Sequence, residues 1–339
     1  MAKAVKLADI AEIVGVSTVT VSKALSDQKG VSEELREKIK QLADEMGYKQ
    51  PSAVRKQQNN KSYNIGVIIA EHFLTKYESF YWQMYQAVAT RAVSKGCFTM
   101  LEVVSDAEEE AEELPKLLLG HKVDGVVVIG AMTHGYLENL NTNGGVPVIY
   151  MDFYDEKETS DAVISNSFYG TYALTNYLFQ MGHRKIAYVG TLLATSSITD
   201  RYFGYCKSLL EHGVKLQQDY VIGDRDLETG MLNLESMSRL PKDMPTAFVC
   251  NCDLTASYMI KILNEQGYKV PEDVSVVGYD NYLYPGLCEI GITTYEADIK
   301  EMARRVIHNI IKKMENDNYK PGVFIVEGRL VRRDSVKHV

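Results

Sequence analysis

Residues 7–25 read LADIAEIVGVSTVTVSKAL, and this stretch decides the fold of the amino-terminal part of the chain. Apolar side chains recur at helical spacing as far as Val14, and Gly15 is the residue type that most readily ends a helix in the left-handed conformation. The hydroxyl of Ser17 can then cap a second helix over residues 18–25. Two short helices joined by a tight turn predict a helix-turn-helix, a motif that places its second helix in the major groove of DNA.

The outward face of the second helix favours a nucleic-acid partner. Its outward side chains are small hydroxyls, one valine and one lysine: Thr18, Val19, Ser22 and Lys23. No carboxylate lies between Gly15 and Ser26. Hydroxyls and an ammonium group suit phosphate oxygens and base edges, whereas a purely solvated helix more often carries Glu–Lys pairs. The alternative is a small helical hairpin that binds no ligand.

A third helix is predicted over Ser32–Met46, with Ser32 as its N-cap and Gly47 at its end. Further motifs follow it along the chain: VSEELREKIKQLADEMGY at 31–48, YNIGVII at 63–69, GHRKIA at 182–187, PEDVSVVGYD at 271–280, ITT at 292–294 and LVRRDS at 330–335. In order and spacing they resemble the lactose-repressor (LacI/GalR) family of bacterial transcription regulators. The resemblance covers essentially the whole chain.

The resemblance implies how the three-helix head contacts DNA. The positions that match base-reading residues are Thr18, Val19 and Lys23, and those that match phosphate anchors are Ser17, Thr20 and Ser22. In the family, a hinge helix follows and inserts a leucine into the minor groove. Ala53 and Arg55 match that hinge pattern, but Gln57 stands where the leucine is expected. An amide gains less than an apolar wedge from unstacking bases.

Charge is divided unevenly along the 339 residues. The first 61 residues hold 11 Lys and Arg against 8 Asp and Glu, whereas the remainder holds 26 against 37, so a head of net charge +3 precedes a body of −11. A weakly basic head permits local phosphate contact while the acidic body repels DNA. Five cysteines without paired spacing, no signal-peptide pattern and no apolar span predict a cytoplasmic protein.

From Tyr63 onward, continuous apolar strands alternate with amphipathic helices, which predicts an α/β fold with two doubly wound parallel sheets behind the helical head. With the family's crossovers near Ser165, Thr293 and Pro321, the expected domains are a head at 1–48, a hinge linker at 49–62, an N-lobe at 63–165 and 293–321, and a C-lobe at 166–292 and 322–339. A helix over 298–313 is expected in the N-lobe, and the last strand, 324–330, is expected in the C-lobe.

Ligands of such sheets bind beyond the carboxyl ends of the strands, here between the two lobes. Three carboxylates follow predicted strands and one guanidinium opens a helix after a strand: Asp152, Asp253, Asp280 and Arg201. Charged groups of both signs can hold the adjacent hydroxyls of a neutral polyol. Family positions add Arg225, while His72 and Phe80 offer rings after the first strand. For Asp253 the alternative is an N-cap, for Arg201 a surface cation and for Phe80 the inner face of a helix.

We expect no enzyme, cofactor or metal site, because nucleophile-elbow, phosphate-loop and metal-binding motifs are missing from the sequence. The sequence predicts a homodimeric regulator, a repressor of a pseudo-palindromic operator, whose DNA affinity is controlled by a small molecule such as a sugar. One alternative is a family regulator controlled by a phosphorylated carrier protein. The other is a non-regulatory sugar-binding protein.

Overall fold

The computed structural model describes residues 5–25, 28–46, 48, 62–74, 79–155, 161–227, 230–282, 284, 286–316 and 318–339. The chain divides into two compact units, 1–61 and 62–339, which are described separately. Among the described helices, none has the length and apolar character needed to span a lipid bilayer.

The first unit is a three-helix head: α1 (Leu7–Val14), α2 (Thr18–Leu25) and α3 (Glu33–Glu45). Gly15 ends α1 at φ 74°, and the backbone N–H of Thr20 donates to the Ser17 hydroxyl at 3.1 Å. One small core joins the three helices through fully buried side chains: Ile10, Val21, Ala24 and Ile39. The predicted helix-turn-helix is therefore confirmed.

The second unit contains two parallel sheets. The N-lobe sheet has the order β11-β5-β4-β3-β1-β2, where β11 is Val323–Val326. Its strands and helices before the first crossover are β1 (Asn64–Ala70), a 3₁₀ turn (Glu71–Phe73), α4 (Phe80–Val93), β2 (Phe98–Val104), α5 (Asp106–Glu110), α6 (Lys116–Leu119), β3 (Gly125–Ile129), α7 (His134–Asn143), β4 (Val148–Met151) and β5 (Ala162–Ser165). Alternate residues of β1 enter the hydrophobic cores on opposite faces of the sheet, Val67 on one and Ile68 on the other. The predicted parallel sheet covered on both faces is confirmed.

The C-lobe sheet has the order β7-β6-β8-β9. Its elements are α8 (Ser167–Gln180), β6 (Ile186–Val189), α9 (Ser196–Glu211), a 3₁₀ turn (Gln218–Tyr220), β7 (Val221–Ile222), α10 (Leu234–Met237), β8 (Ala247–Cys250), α11 (Asp253–Glu265) and β9 (Ser275–Val277). The chain then crosses through β10 (Thr294–Glu296) to α12 (Ile299–Glu315), which packs on α4 and on strands β3 to β5 of the N-lobe.

The prediction that the last strand lies in the C-lobe was wrong. β11 (Val323–Val326) pairs in parallel with β5 and completes the N-lobe sheet. The edge of β5 that faces away from β4 is open to it, and there the backbone amides of Ala162 and Asn166 donate to the carbonyls of Gly322 and Val326. β12 (Arg329–Val331) then pairs antiparallel with β10. The chain re-enters the C-lobe only beyond it, where Val276 N donates to Ser335 O at 2.9 Å.

Candidate functional site

The outer face of α2 is the candidate DNA-binding surface. Its exposed side chains, with that of the preceding turn, are Ser17, Thr18, Val19, Ser22 and Lys23, and Thr20 is half-buried. Val19 is 61% exposed although it is apolar, so it is not part of the core of the head. The hydroxyls of Ser17 and Thr20 lie 2.9 Å apart and form one polar edge. The hinge positions Ala53, Arg55 and Gln57 lie outside the described residues.

In the larger unit, polar groups from both sheets meet where the strands end. Asp152 directly follows β4 of the N-lobe, at φ 74° and 8% exposure, and Asp280 follows β9 of the C-lobe at φ 102°. Positive φ is unfavourable for these side chains and persists only where the surroundings hold it, which is typical of functional sites. The carboxyl-end prediction for these two residues matches their observed location.

Arg201 of α9 holds together the C-lobe side of this cluster. Its Nη1 donates to the Asn251 carbonyl at 2.6 Å, its Nη2 lies 3.2 Å from Asp280 Oδ1, and its guanidinium carbon stands 3.8 Å above the Tyr279 ring. The side chain is 5% exposed, and its Nε has no hydrogen-bond partner among the described residues. Arg201 is therefore a buried cation beneath the cleft, not a surface residue.

Arg225 is fixed by its neighbour in sequence. Its guanidinium contacts both oxygens of Asp224, which is fully buried and also accepts from Asn251 Nδ2 at 2.6 Å and Thr255 Oγ1 at 2.7 Å. Burial opposes ionisation of Asp224, but Arg225 and these hydrogen bonds lower its pKa. Arg225 is thus a preorganised donor whose charge is already balanced.

Burial has the largest effect on the pKa of both cleft carboxylates, Asp152 and Asp280. It raises the pKa of Asp152 to about 7, with a smaller opposing effect from Arg201, and raises the pKa of Asp280 to about 6 against the same guanidinium. Asp152 receives no hydrogen bond from the part of the chain that the structure describes. A carboxyl that is buried, weakly ionised and without a donor is available to a ligand that supplies hydroxyl or amide protons.

Replacing Asp152 with asparagine is expected to stabilise the fold at alkaline pH. The folded pKa of Asp152 lies above its unfolded value, so the wild type loses stability as pH rises from about 4 to 7, and the asparagine variant does not. The gain should reach about 2–4 kcal/mol at pH 8 and vanish near pH 4. Urea unfolding at both pH values measures it, with the exposed Asp219→Asn as control; an equal gain at both would contradict the assignment.

The remaining predicted ligand residues are His72, Phe80 and Asp253. His72 Nδ1 is 3.3 Å from Asp106 Oδ1, and Phe80 is 4% exposed in the N-lobe core with its ring centroid 6.4 Å from that of Tyr282. Asp253 is not an N-cap, since Cys252 holds that position; its carboxylate accepts from Tyr282 N at 2.9 Å. A ligand contact by these three residues stays a prediction.

The predicted ligand-binding set left out two members of the cluster. The ring of Tyr81 stacks on that of Phe73, with the ring centroids 4.2 Å apart. Burial raises the pKa of Tyr81 most, and the nearby carboxylates of Asp152 and Asp280 raise it further. Asp224 is the other, although a carboxylate beside Arg225 was a usable signal. For Tyr81, only its place in an aromatic run after β1 pointed to the cleft.

A helix-turn-helix head joined to a body with a ligand cleft between parallel sheets defines a DNA-binding transcriptional regulator. Residues 6–51 match the model described as bacterial regulatory proteins, lacI family, and residues 175–336 match a periplasmic binding protein-like domain. An HTH-type transcriptional repressor PurR of Vibrio atlanticus (strain LGP32) is 26% identical over 331 residues, which cover 97% of this chain and 98% of the relative. The chain thus combines a lacI-family helix-turn-helix domain with a periplasmic-binding-protein-like domain.

Two solved structures extend this likeness over the full length. A transcriptional regulator CelR–cellobiose complex has a TM-score of 0.70 at 23% identity and covers 98% of this chain and 99% of that one. A lac repressor dimer bound to operator and the anti-inducer ONPF has a TM-score of 0.68 at 23% identity, covering 99% and 100%. Both share the fold of this chain.

Proposed function

We propose that the chain is a cytoplasmic repressor that binds a pseudo-palindromic operator as a homodimer and whose operator affinity is set by a small molecule in the cleft. The cluster of Asp152, Arg201, Arg225 and Asp280 carries this proposal, because strand ends of both lobes contribute to it. A ligand held there contacts both lobes and therefore favours one arrangement of the lobes over another. The DNA-binding head argues against a sugar-binding protein without a regulatory role.

In each subunit, α2 enters the major groove. Thr18, Val19 and Lys23 contact bases, with Val19 against a thymine methyl group, while Ser17, Thr20 and Ser22 hold phosphates. Arg55 contacts the minor groove or a phosphate beside Ala53, and Gln57 does not act as an apolar wedge. A head of charge +3 binds weakly alone, so pairing of two heads on two half-sites supplies the affinity.

The proposed effector is a neutral carbohydrate. Arg201 is paired with Asp280 and Arg225 with Asp224, so the cleft has no uncompensated cation for a phosphate among its described residues, whereas Asp152 lacks a donor. Adjacent hydroxyls both donate to carboxylates and accept from guanidinium groups. The CelR complex, whose fold this chain shares, was solved with the sugar cellobiose.

A thermal-shift screen of the full chain against monosaccharides, disaccharides, nucleobases and sugar phosphates tests this assignment. A ligand present at 100 times its dissociation constant stabilises by about 2.7 kcal/mol, which raises the unfolding temperature measurably. We expect a shift with at least one unphosphorylated sugar. A shift with sugar phosphates or nucleobases alone would refute the carbohydrate assignment.

Replacing Lys23 with alanine is expected to weaken operator binding by about 1–3 kcal/mol and to relax the preference for one base pair, since Lys23 is assigned to a base edge. Lys38→Ala is the matched control, because it removes the same charge from an exposed position on α3. Fluorescence anisotropy with an operator selected from genomic DNA, and with its single-base variants, measures both the loss of affinity and the change in base preference. Equal losses for the two variants on every sequence would exclude base reading by Lys23.

A basic groove on the N-lobe favours a second candidate, control by a phosphorylated carrier protein. The groove encloses about 560 Å³, and its cationic or titratable lining comes from α12 and the segment after it: Arg304, Arg305, His308, Lys312 and Lys320. Arg304 and Arg305 already pair with Glu301, which weakens this candidate relative to the cleft. Its test is a titration with phosphorylated and unphosphorylated carrier protein, in which only the former should bind and Lys312→Glu should prevent it.

A further inference from the structure

The loop that carries Asp280 has an unfavourable backbone. Asp280 and Asn281 adopt φ values of 102° and 59°, two consecutive residues in a region that L side chains rarely occupy. Such a pair persists only when neighbouring groups over-determine it. The contacts that hold this loop therefore decide where the Asp280 carboxylate points.

The two ends of the loop are anchored through the backbone. Asp280 N donates to the carbonyl of Tyr295 in β10 at 2.9 Å, and Tyr282 N donates to Asp253 Oδ2 at 2.9 Å. Between them, Asn281 N lies 3.4 Å from the Thr294 hydroxyl, which is a long hydrogen bond. This long hydrogen bond is too weak to hold the middle of the loop by itself.

Arg333 provides a stronger contact from the segment that re-enters the C-lobe. Its Nη2 donates to the Asn281 side-chain oxygen, while its Nη1 donates to the Ile292 carbonyl at 2.7 Å. Its backbone N–H also donates to the Thr293 hydroxyl at 2.9 Å. One guanidinium thus joins the Asp280 loop to the segment 292–294, through which the chain leaves the C-lobe for β10 and the N-lobe.

We propose that Arg333 is a positioning residue: through Asn281 it holds Asp280 in its cleft-facing conformation and ties that conformation to the crossing segment between the lobes. This inference rests on the proposed function, in which Asp280 binds the effector. Arg333 itself does not touch the ligand. A rearrangement of the crossing segment would change the Asn281 contact and, with it, the direction of the Asp280 carboxylate, so effector binding and lobe arrangement would be coupled at this point.

Crystal structures of full-length variants test the positioning role without any ligand. Arg333→Met and Asn281→Gly remove the contact, and we expect Asp280 to relax to negative φ and to leave Arg201 in both. Asn281→Asp keeps the acceptor and should preserve positive φ at Asp280. The control is the neighbouring Arg332→Met, whose guanidinium lies 5.2 Å from the centre of the Tyr177 ring instead. An Asp280 that keeps positive φ in Arg333→Met overturns the proposal.

Calorimetric titration with cellobiose, glucose and lactose gives the second readout. Where the wild type binds one of these sugars, Arg333→Met should bind it about ten-fold more weakly, because binding must restore the strained loop, and Asn281→Asp should bind it normally. Unchanged affinity in Arg333→Met contradicts the proposal. If the wild type binds none of the three, the carbohydrate assignment is weakened, whereas the φ of Asp280 in the variants still decides the positioning role.

Discussion

Asp280→Ala is expected to abolish the effector response while leaving operator binding intact. The carboxylate is assigned to hold ligand hydroxyls by charge-assisted hydrogen bonds in a buried site, where truncation of one partner costs about 2–5 kcal/mol. The head forms its own core in a separate compact unit, so DNA affinity without ligand should not change. Operator anisotropy, titrated with the sugar that the thermal-shift screen identifies, measures both quantities.

A second substitution separates ligand contact from loss of structure. Asn tolerates positive φ better than Ala and still offers Arg201 an acceptor, so Asp280→Asn should fold like the wild type and bind the effector weakly. The exposed Asp219→Ala serves as the control for removal of a surface carboxylate. A normal ligand-induced change in operator affinity with Asp280→Ala would show that the cleft is wrongly assigned.

Arg201→Met is expected to destabilise the larger unit by about 3–5 kcal/mol, because it leaves a buried carboxylate and the Asn251 carbonyl without their donor. Its effector response should also be lost. The matched control is Arg239→Met, which removes an arginine that is 75% exposed and paired with Glu235; we expect a change below about 0.5 kcal/mol.

The pH dependence of the stability of Arg201→Met identifies the cause of its destabilisation. Without Arg201, the pKa of Asp280 should rise further, so protonation at pH 5 removes the unpaired charge and the destabilisation should be smaller there than at pH 8. The double variant Arg201→Met/Asp280→Asn should recover part of the stability at pH 8. Urea unfolding that shows the same loss at both pH values would rule out an unpaired Asp280 as the cause.

The head was predictable because its signals are local. Gly15 and Ser17 determine where α1 ends and α2 begins, and the observed φ and the Ser17 cap follow directly from those residue types. By contrast, the periodicity of residues 108–119 predicts one helix, whereas the structure has the two helices α5 and α6, since Pro115 cannot continue a helix begun before it. That proline was visible in the sequence, but the helical periodicity outweighed it.

Pairings distant in sequence were less accessible. The apolar pattern predicts a last strand over 324–330, yet only the open edge of β5 determines that residues 323–326 join the N-lobe sheet. At the site, the rule that ligands bind at carboxyl ends of strands located Asp152 and Asp280. It could not reveal that Asp253 secures Tyr282 N, or that Arg333 reaches Asn281, because these contacts join segments 29 and 52 residues apart.

Selection of genomic DNA fragments by the intact chain at moderate ionic strength tests the central claim most directly. The account predicts enrichment of a few fragments that share a two-fold-symmetric sequence, and a change in their affinity by about 5–150-fold when the sugar identified by the thermal-shift screen is added. Binding that does not distinguish any fragment from random duplex, with or without the sugars, would contradict it.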